Sequence, residues 1–153
     1  MKSVRRVDRE IPAQSAKAIL EAGEYGVMST VGADGQPHGV PLSYVYRNDS
    51  IYFHCALSGQ KLEDLEGNAK TSFCVVGKTR VLPEKFATEY ESAVAFGVAS
   101  EVEGQERYDA LIWLLEKYSS DYLEEGKRYI EQKDKATKVY KIAVTHVSGK
   151  ARR

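Results

Sequence analysis

The sequence predicts a mainly β, α+β domain built as an antiparallel β-barrel with helices at its ends. Three observations lead there. Short apolar runs separated by Gly, Pro, Asn and Asp turns fill the chain from Gly26 to Gly104, helical periodicity takes over after Gln105, and an alternating apolar run closes the C-terminus.

Pro12 followed by "AQSAKAILEAGEYG" predicts a first helix, with Ala16, Ile19 and Leu20 as its apolar stripe and Gly23 or Gly26 ending it. "YGVMSTV" then has strand propensity, and Asp34-Gly35 in "GADGQP" predicts a hairpin into "HGVPLSYVY". The turn "RNDS" leads to "IYFHCA", where Ile51, Phe53 and Cys55 share one face and Tyr52 and His54 the other. These three strands are expected to follow one another in antiparallel succession.

"QKLEDLEGN" reads as a helix of two turns stopped by Gly67 and Asn68, with Glu63, Asp64 and Glu66 on its solvated face. "KTSFCVV" is apolar enough for a central strand. "GKTRVLPEKFATEYE" predicts strand to Val81 and then a surface loop containing Pro83, and "SAVAFGVASEVEG" is a further strand whose Gly97 marks a bulge or a close backbone approach. Tyr108, Leu111, Ile112, Leu115 and Tyr118 give "QERYDALIWLLEKYS" a helical stripe, with Trp113 off it. "DYLEEGKRYIEQK" is a second, polar helix interrupted by Gly126. "TKVYKIAVTHVSGKARR" is the closing strand, its basic tail either disordered or folded back on an anionic cofactor or a partner subunit.

Length and composition bound the function. At 153 residues, 1–153 form one domain, and 42% hydrophobic against 29% charged residues is globular composition. Lys plus Arg and Asp plus Glu each total 22, so no net charge draws the chain to nucleic acid or an anionic membrane. No apolar run is long enough to span a bilayer and "MKSVRRVDREIPAQ" lacks a signal-peptide core, so a cytoplasmic protein is expected. Cys55 and Cys74 lie in strand-like runs without metal-ligand spacing and read as buried reduced thiols.

One turn has the chemistry of an anion site. Ser58-Gly59-Gln60-Lys61 enters a helix, whose first N–H groups are unpaired and carry the positive end of the peptide dipoles; glycine permits close approach and lysine adds a cation. The same residues also suit an ordinary helix start, with Ser58 as N-cap and Lys61 in solvent. No Walker or GxGxxG pattern occurs. His38, His54 and His146 lack metal spacing, and neither GxSxG nor a cysteine with a base is present, which disfavours hydrolytic acyl chemistry.

Taken together, "RRVDREI", "GVMSTVGADGQPHGVPLSYVY", "IYFHCALSGQKLEDLEGNAKTSFCVV", "YESAVAFGVASEVEG" and the ending "VSGK" resemble the FMN-binding split-barrel family related to pyridoxamine 5'-phosphate oxidase, most nearly its nitroimidazole-resistance (Nim) branch. The resemblance implies a split barrel and a homodimer with FMN at the subunit interface. It puts the FMN phosphate on Gly59, Gln60 and Lys61, the ring edge along the backbone of Pro41, Leu42 and Ser43, and His54 and Ala56 in the same cavity. Tyr90 and Ser92 would come from the other subunit, Lys150 would approach from the last strand, and His54 would act on the substrate. "VSGKARR" is not the oxidase's arginine-rich substrate-binding ending, so pyridoxamine phosphate is a poor substrate guess. The implied activity is FMN-dependent reduction of a small acceptor, nitroimidazoles among them. The alternatives are a flavin carrier or sensor without turnover, and a haem protein using His38, His54 or His146 as axial ligand. An oligonucleotide-binding barrel stands further back, against the neutral net charge.

Overall fold

A computed structural model describes residues 2–153. Helix α1 (Ala13–Ala22) follows Pro12 and buries the expected stripe of Ala16, Ile19 and Leu20. Strands β1 (Gly26–Val31) and β2 (Pro37–Leu42) form the first hairpin, turning at Gly35 with a φ of 83°. Strands β3 (Val45–Arg47) and β4 (Ser50–Cys55) form the second, turning at Asn48 and Asp49, both left-handed as a two-residue hairpin requires. After helix α2 (Gln60–Gly67) come three long strands, β5 (Lys70–Leu82), β6 (Ala87–Val102) and β7 (Lys138–Arg152), with helices α3 (Gly104–Tyr118) and α4 (Leu123–Lys133) between the last two.

All strand pairs are antiparallel, in the order β2-β1-β5-β6-β7-β4-β3. The two hairpins therefore lie at opposite ends of the sheet, and β2 does not pair with β3 as a simple succession of strands would require. The cause is Tyr44. Its ring is fully buried edge-on to Phe73, with centroids 4.8 Å apart, and its hydroxyl donates to the carbonyl of Leu20 at the end of α1. That anchor breaks "HGVPLSYVY" into two strands. The chain restarts at Val45 opposite Tyr52.

The sheet wraps α1, which packs on β3, β5, β6 and β7. Met28, Phe53, Phe73, Val75, Ala95 and Ile142 fill the interior with the α1 stripe. Burial on this scale supplies most of the fold's driving force. β5 runs on to Leu82 and β6 already starts at Ala87, so Pro83 sits in a tight hairpin tip, not in a loop between separate strands. The basic tail is not loose either: β7 pairs with β6 as far as Arg152.

Gly97 is a close approach. A Cβ there would lie 2.2 Å from the Ala143 carbonyl oxygen, and the β6–β7 register shifts at this point, leaving Thr145 as the extra residue of β7. The bulge reverses the alternation, which is why both Val144 and Val147 pack on the main core.

A second core lies on the outside of the sheet. Val45, Tyr52, Val102 and Val139 meet Ala110, Leu111 and Leu114 of α3. The buried stripe of α3 is thus rotated from the expected one: Tyr108 and Tyr118 are exposed and Trp113 packs on this cluster. The residue that looked solvated on α2, Asp64, is 3% exposed.

Candidate functional site

The start of α2 is a glycine turn, not a serine cap. Gly59 holds a φ of 153° and a ψ of 172°, a conformation almost confined to glycine, and no side chain caps the helix. The N–H groups of Leu62 and Glu63 both turn back to the Gly59 carbonyl, which leaves those of Gln60 and Lys61 at the mouth of the turn. A Cβ on Gly59 would meet no atom within 4 Å, so the approach to these donors is open.

Asp64 holds this helix in place. Its carboxylate accepts hydrogen bonds from Thr30 Oγ1 of β1 at 2.7 Å and from Gln60 Nε2 at 2.8 Å, and His38 Nδ1 of β2 lies 3.7 Å away. The two hydrogen bonds outweigh burial and keep the carboxyl below its ordinary 3.8. His38 Nδ1 is buried and makes no hydrogen bond among the described residues. Sequence reasoning missed this cluster. The available signal was position: Leu62 and Leu65, both buried, flank Asp64 on the inward side of the helix.

His54 stands next to the turn. Alternation along β4 puts it on the outer face with Tyr52. His54 is exposed at its rim, yet desolvation by the protein packed around it first, and then the charge of Lys61, hold its imidazole below the ordinary 6.5, so the neutral form dominates at pH 7. His54 and Ser43 together line a cavity of about 590 Å³ whose far wall is α3 and α4.

The other expected residues lie on the remaining outer face. Register pairs Pro41 with Val27, Val27 with Cys74 and Cys74 with Val94; Ser92 of the same face pairs with Lys150. Pro41, Ser92 and Lys150 therefore share one surface with Val94 and Phe96. α3 and α4 do not cover it, and Val76 and Val98 there are 60% and 45% exposed. Leu42 is half-buried with its side chain against the core, and Ala56 is exposed just past β4. Tyr90 continues the Ser92 face but lines a separate cleft of about 280 Å³ with Arg80 and Arg152. The structure thus groups Ser43 with His54, Gly59 with Gln60 and Lys61, and Pro41 with Ser92 and Lys150. It does not bring all of them into one pocket of a single chain.

Burial raises the thiols of Cys55 and Cys74, so neither is a ready thiolate. Among the described residues no cluster of three or more His, Cys, Asp or Glu is placed to hold a metal, and no helix is long and apolar enough to cross a membrane.

Comparisons place these features. A candidate 5-nitroimidazole antibiotic resistance protein from Bacteroides thetaiotaomicron has a similar structure, with a TM-score of 0.75 and 24% identity over 92% of this chain and 85% of that one. A conserved hypothetical protein from Mycobacterium tuberculosis superposes with a TM-score of 0.82 at 20% identity, covering 99% of this chain and 91% of that chain. An FAD and haem binding protein from Mycobacterium smegmatis gives 0.70 at 18% identity, over 95% and 74%. At these identities the likeness is one of fold. A ferrochelatase from Agrobacterium fabrum is 30% identical over 64 residues, 42% of this chain but only 19% of that protein. The profile described as pyridoxamine 5'-phosphate oxidase matches residues 12–151, and by that match the chain belongs to the pyridoxamine 5'-phosphate oxidase family.

Proposed function

We propose that the protein is an FMN-binding oxidoreductase, working as a cytoplasmic homodimer that reduces small acceptors, nitroimidazoles among the candidates. The observation that carries this reading is the open Gly59 turn, with two unpaired N–H groups and Lys61 beside a neutral His54. An anionic phosphate suits such a helix start, since dipole, donors and cation all favour it.

The chain's own residues divide the work. Gln60 and Lys61 bind the phosphate through their N–H groups, and Lys61 adds its charge. The backbone of Pro41, Leu42 and Ser43 supplies hydrogen bonds at the ring edge. His54 holds or releases a proton at its imidazole, neutral before the reaction and able to take one up. Bound FMN would supply the electron transfer itself. The uncovered outer face, apolar at Val94, Phe96 and Val98, suits a second copy of the chain, from which Tyr90, Ser92 and Lys150 would complete the site.

The test is an FMN titration of the purified protein, followed by anaerobic reduction and a screen of nitroaromatic acceptors. Tight one-to-one binding per chain with acceptor-dependent reoxidation is expected. Binding without reoxidation by any acceptor would leave a flavin carrier, and no binding would remove the reading.

A further inference from the structure

We propose that the cavity between His54 and the helices α3 and α4 binds an uncharged aromatic molecule of drug-like size, seated with its polar edge toward His54 and Ser43. In the flavin reading, on which this identification as the acceptor pocket rests, that molecule is the acceptor; its binding is testable without the flavin.

Size and lining point to this ligand class. About 590 Å³ is the volume of a small-molecule pocket, far above what a few waters need. Leu111, Leu114, Leu115 and Ile130 form an apolar patch on the helical wall. It is also fixed. α4 comes close to α3 because residue 126 is glycine: a Cβ there would lie 2.6 Å from Leu115 Cδ2.

Of the cationic groups lining the cavity, Lys133 is exposed at the end of α4, where its ammonium stays hydrated, and Arg107 is already engaged. Arg107 pairs with the Asp134 carboxylate and donates to the carbonyls of Asp134 and Thr137, each at 2.9 Å. The Tyr118 hydroxyl donates to the Glu24 carbonyl at 2.5 Å and accepts from the Tyr44 N–H at 3.0 Å. By contrast, the side chains of Ser43 and His54 enter none of the hydrogen bonds or ion pairs found among the described residues. A ligand therefore meets the leucine and isoleucine patch on the helical side and, on the strand side, two hydrogen-bonding groups without partners among the described residues, Ser43 and His54. Burying a carboxylate or sulfonate against that wall costs solvation, of which the exposed, hydrated Lys133 at the rim returns only a small part.

The experiment is a fluorescence titration with N-phenyl-1-naphthylamine, a neutral two-ring probe, and with its anionic relative 1-anilinonaphthalene-8-sulfonate. Saturable binding of the neutral probe is expected, about tenfold tighter or more than the anion. Ile130→Trp and the milder Ala136→Leu fill the cavity and should weaken the neutral probe by about tenfold, with circular dichroism and melting confirming the fold. Lys85→Gln, exposed at the hairpin tip, should leave probe binding unchanged. Equal affinity for both probes, or binding that survives both filled variants, overturns the proposal. FMN affinity separates the two readings: it should be unchanged in the filled variants, and a parallel loss would make the cavity the flavin ring's own seat and overturn the acceptor assignment. Wild-type protein that binds the neutral probe but not FMN would reject the flavin reading and keep the pocket.

Discussion

Asp64, in the middle of α2, accepts a hydrogen bond of 2.7 Å from Thr30 on β1, a residue 34 positions earlier in the chain, and so ties the helix that opens the anion turn to the barrel wall. Removing the carboxylate by Asp64→Ala leaves the buried Thr30 hydroxyl only a long contact of 3.5 Å to the His38 carbonyl and frees Gln60. A melting temperature lower by about 3–8 °C is expected, together with weaker phosphate or FMN binding, because the turn loses its tether. A variant that melts and binds like the parent would contradict the tether.

The pH dependence of that tie has a definite sign. The folded protein holds the Asp64 carboxyl below its ordinary 3.8, so its contribution to stability is complete above that value and disappears as pH falls through the lower folded one. Acid unfolding of Asp64→Asn, followed by circular dichroism, should therefore be less steep than the parent's below about pH 4.

His54 and Lys61 report on each other. Lys61→Met removes a cation that helps hold the imidazole low, so the His54 titration followed by nuclear magnetic resonance should move up toward 6.5 while remaining below it, since burial is the larger cause. The same variant should weaken FMN binding by about tenfold, as a phosphate that loses its ammonium partner does. An unmoved His54 titration would separate the two residues.

Gly59 and Gly97 test backbone and packing separately. Gly59→Ala meets no atom, so its cost is purely conformational, about 1–3 kcal/mol, and should fall on the anion turn. Gly97→Ala drives a methyl into the Ala143 carbonyl at the β-bulge, and a loss of more than about 2 kcal/mol in urea unfolding is expected. Gly67→Ala, also without a neighbour but not left-handed, serves as the mild control.

Much of this was legible in the chain. The α1 stripe, the Asp34-Gly35 hairpin, the two-turn α2 and the crowding at Gly97 follow from local spacing and turn chemistry, which a sequence displays directly. What escaped was non-local. The break at Tyr44 depends on its anchoring to Leu20, and the burial of Asp64 on Thr30, neither of which leaves a periodic mark. The α3 stripe differs because tyrosines count as apolar in a periodicity, yet Tyr108 and Tyr118 both remain exposed. The candidate residues were found one by one, but their division between the cavity, the anion turn and the open outer face comes from strand order, which spacing alone does not specify.

The most direct test of the central claim is the visible absorbance spectrum of the freshly purified protein, with chromatography of what acid releases from it. Flavin bands and released FMN are expected. A colourless protein that also fails to bind added FMN would contradict the account and return the Gly59–Lys61 turn to a plain helix start, and a Soret band would assign the outer face to haem instead.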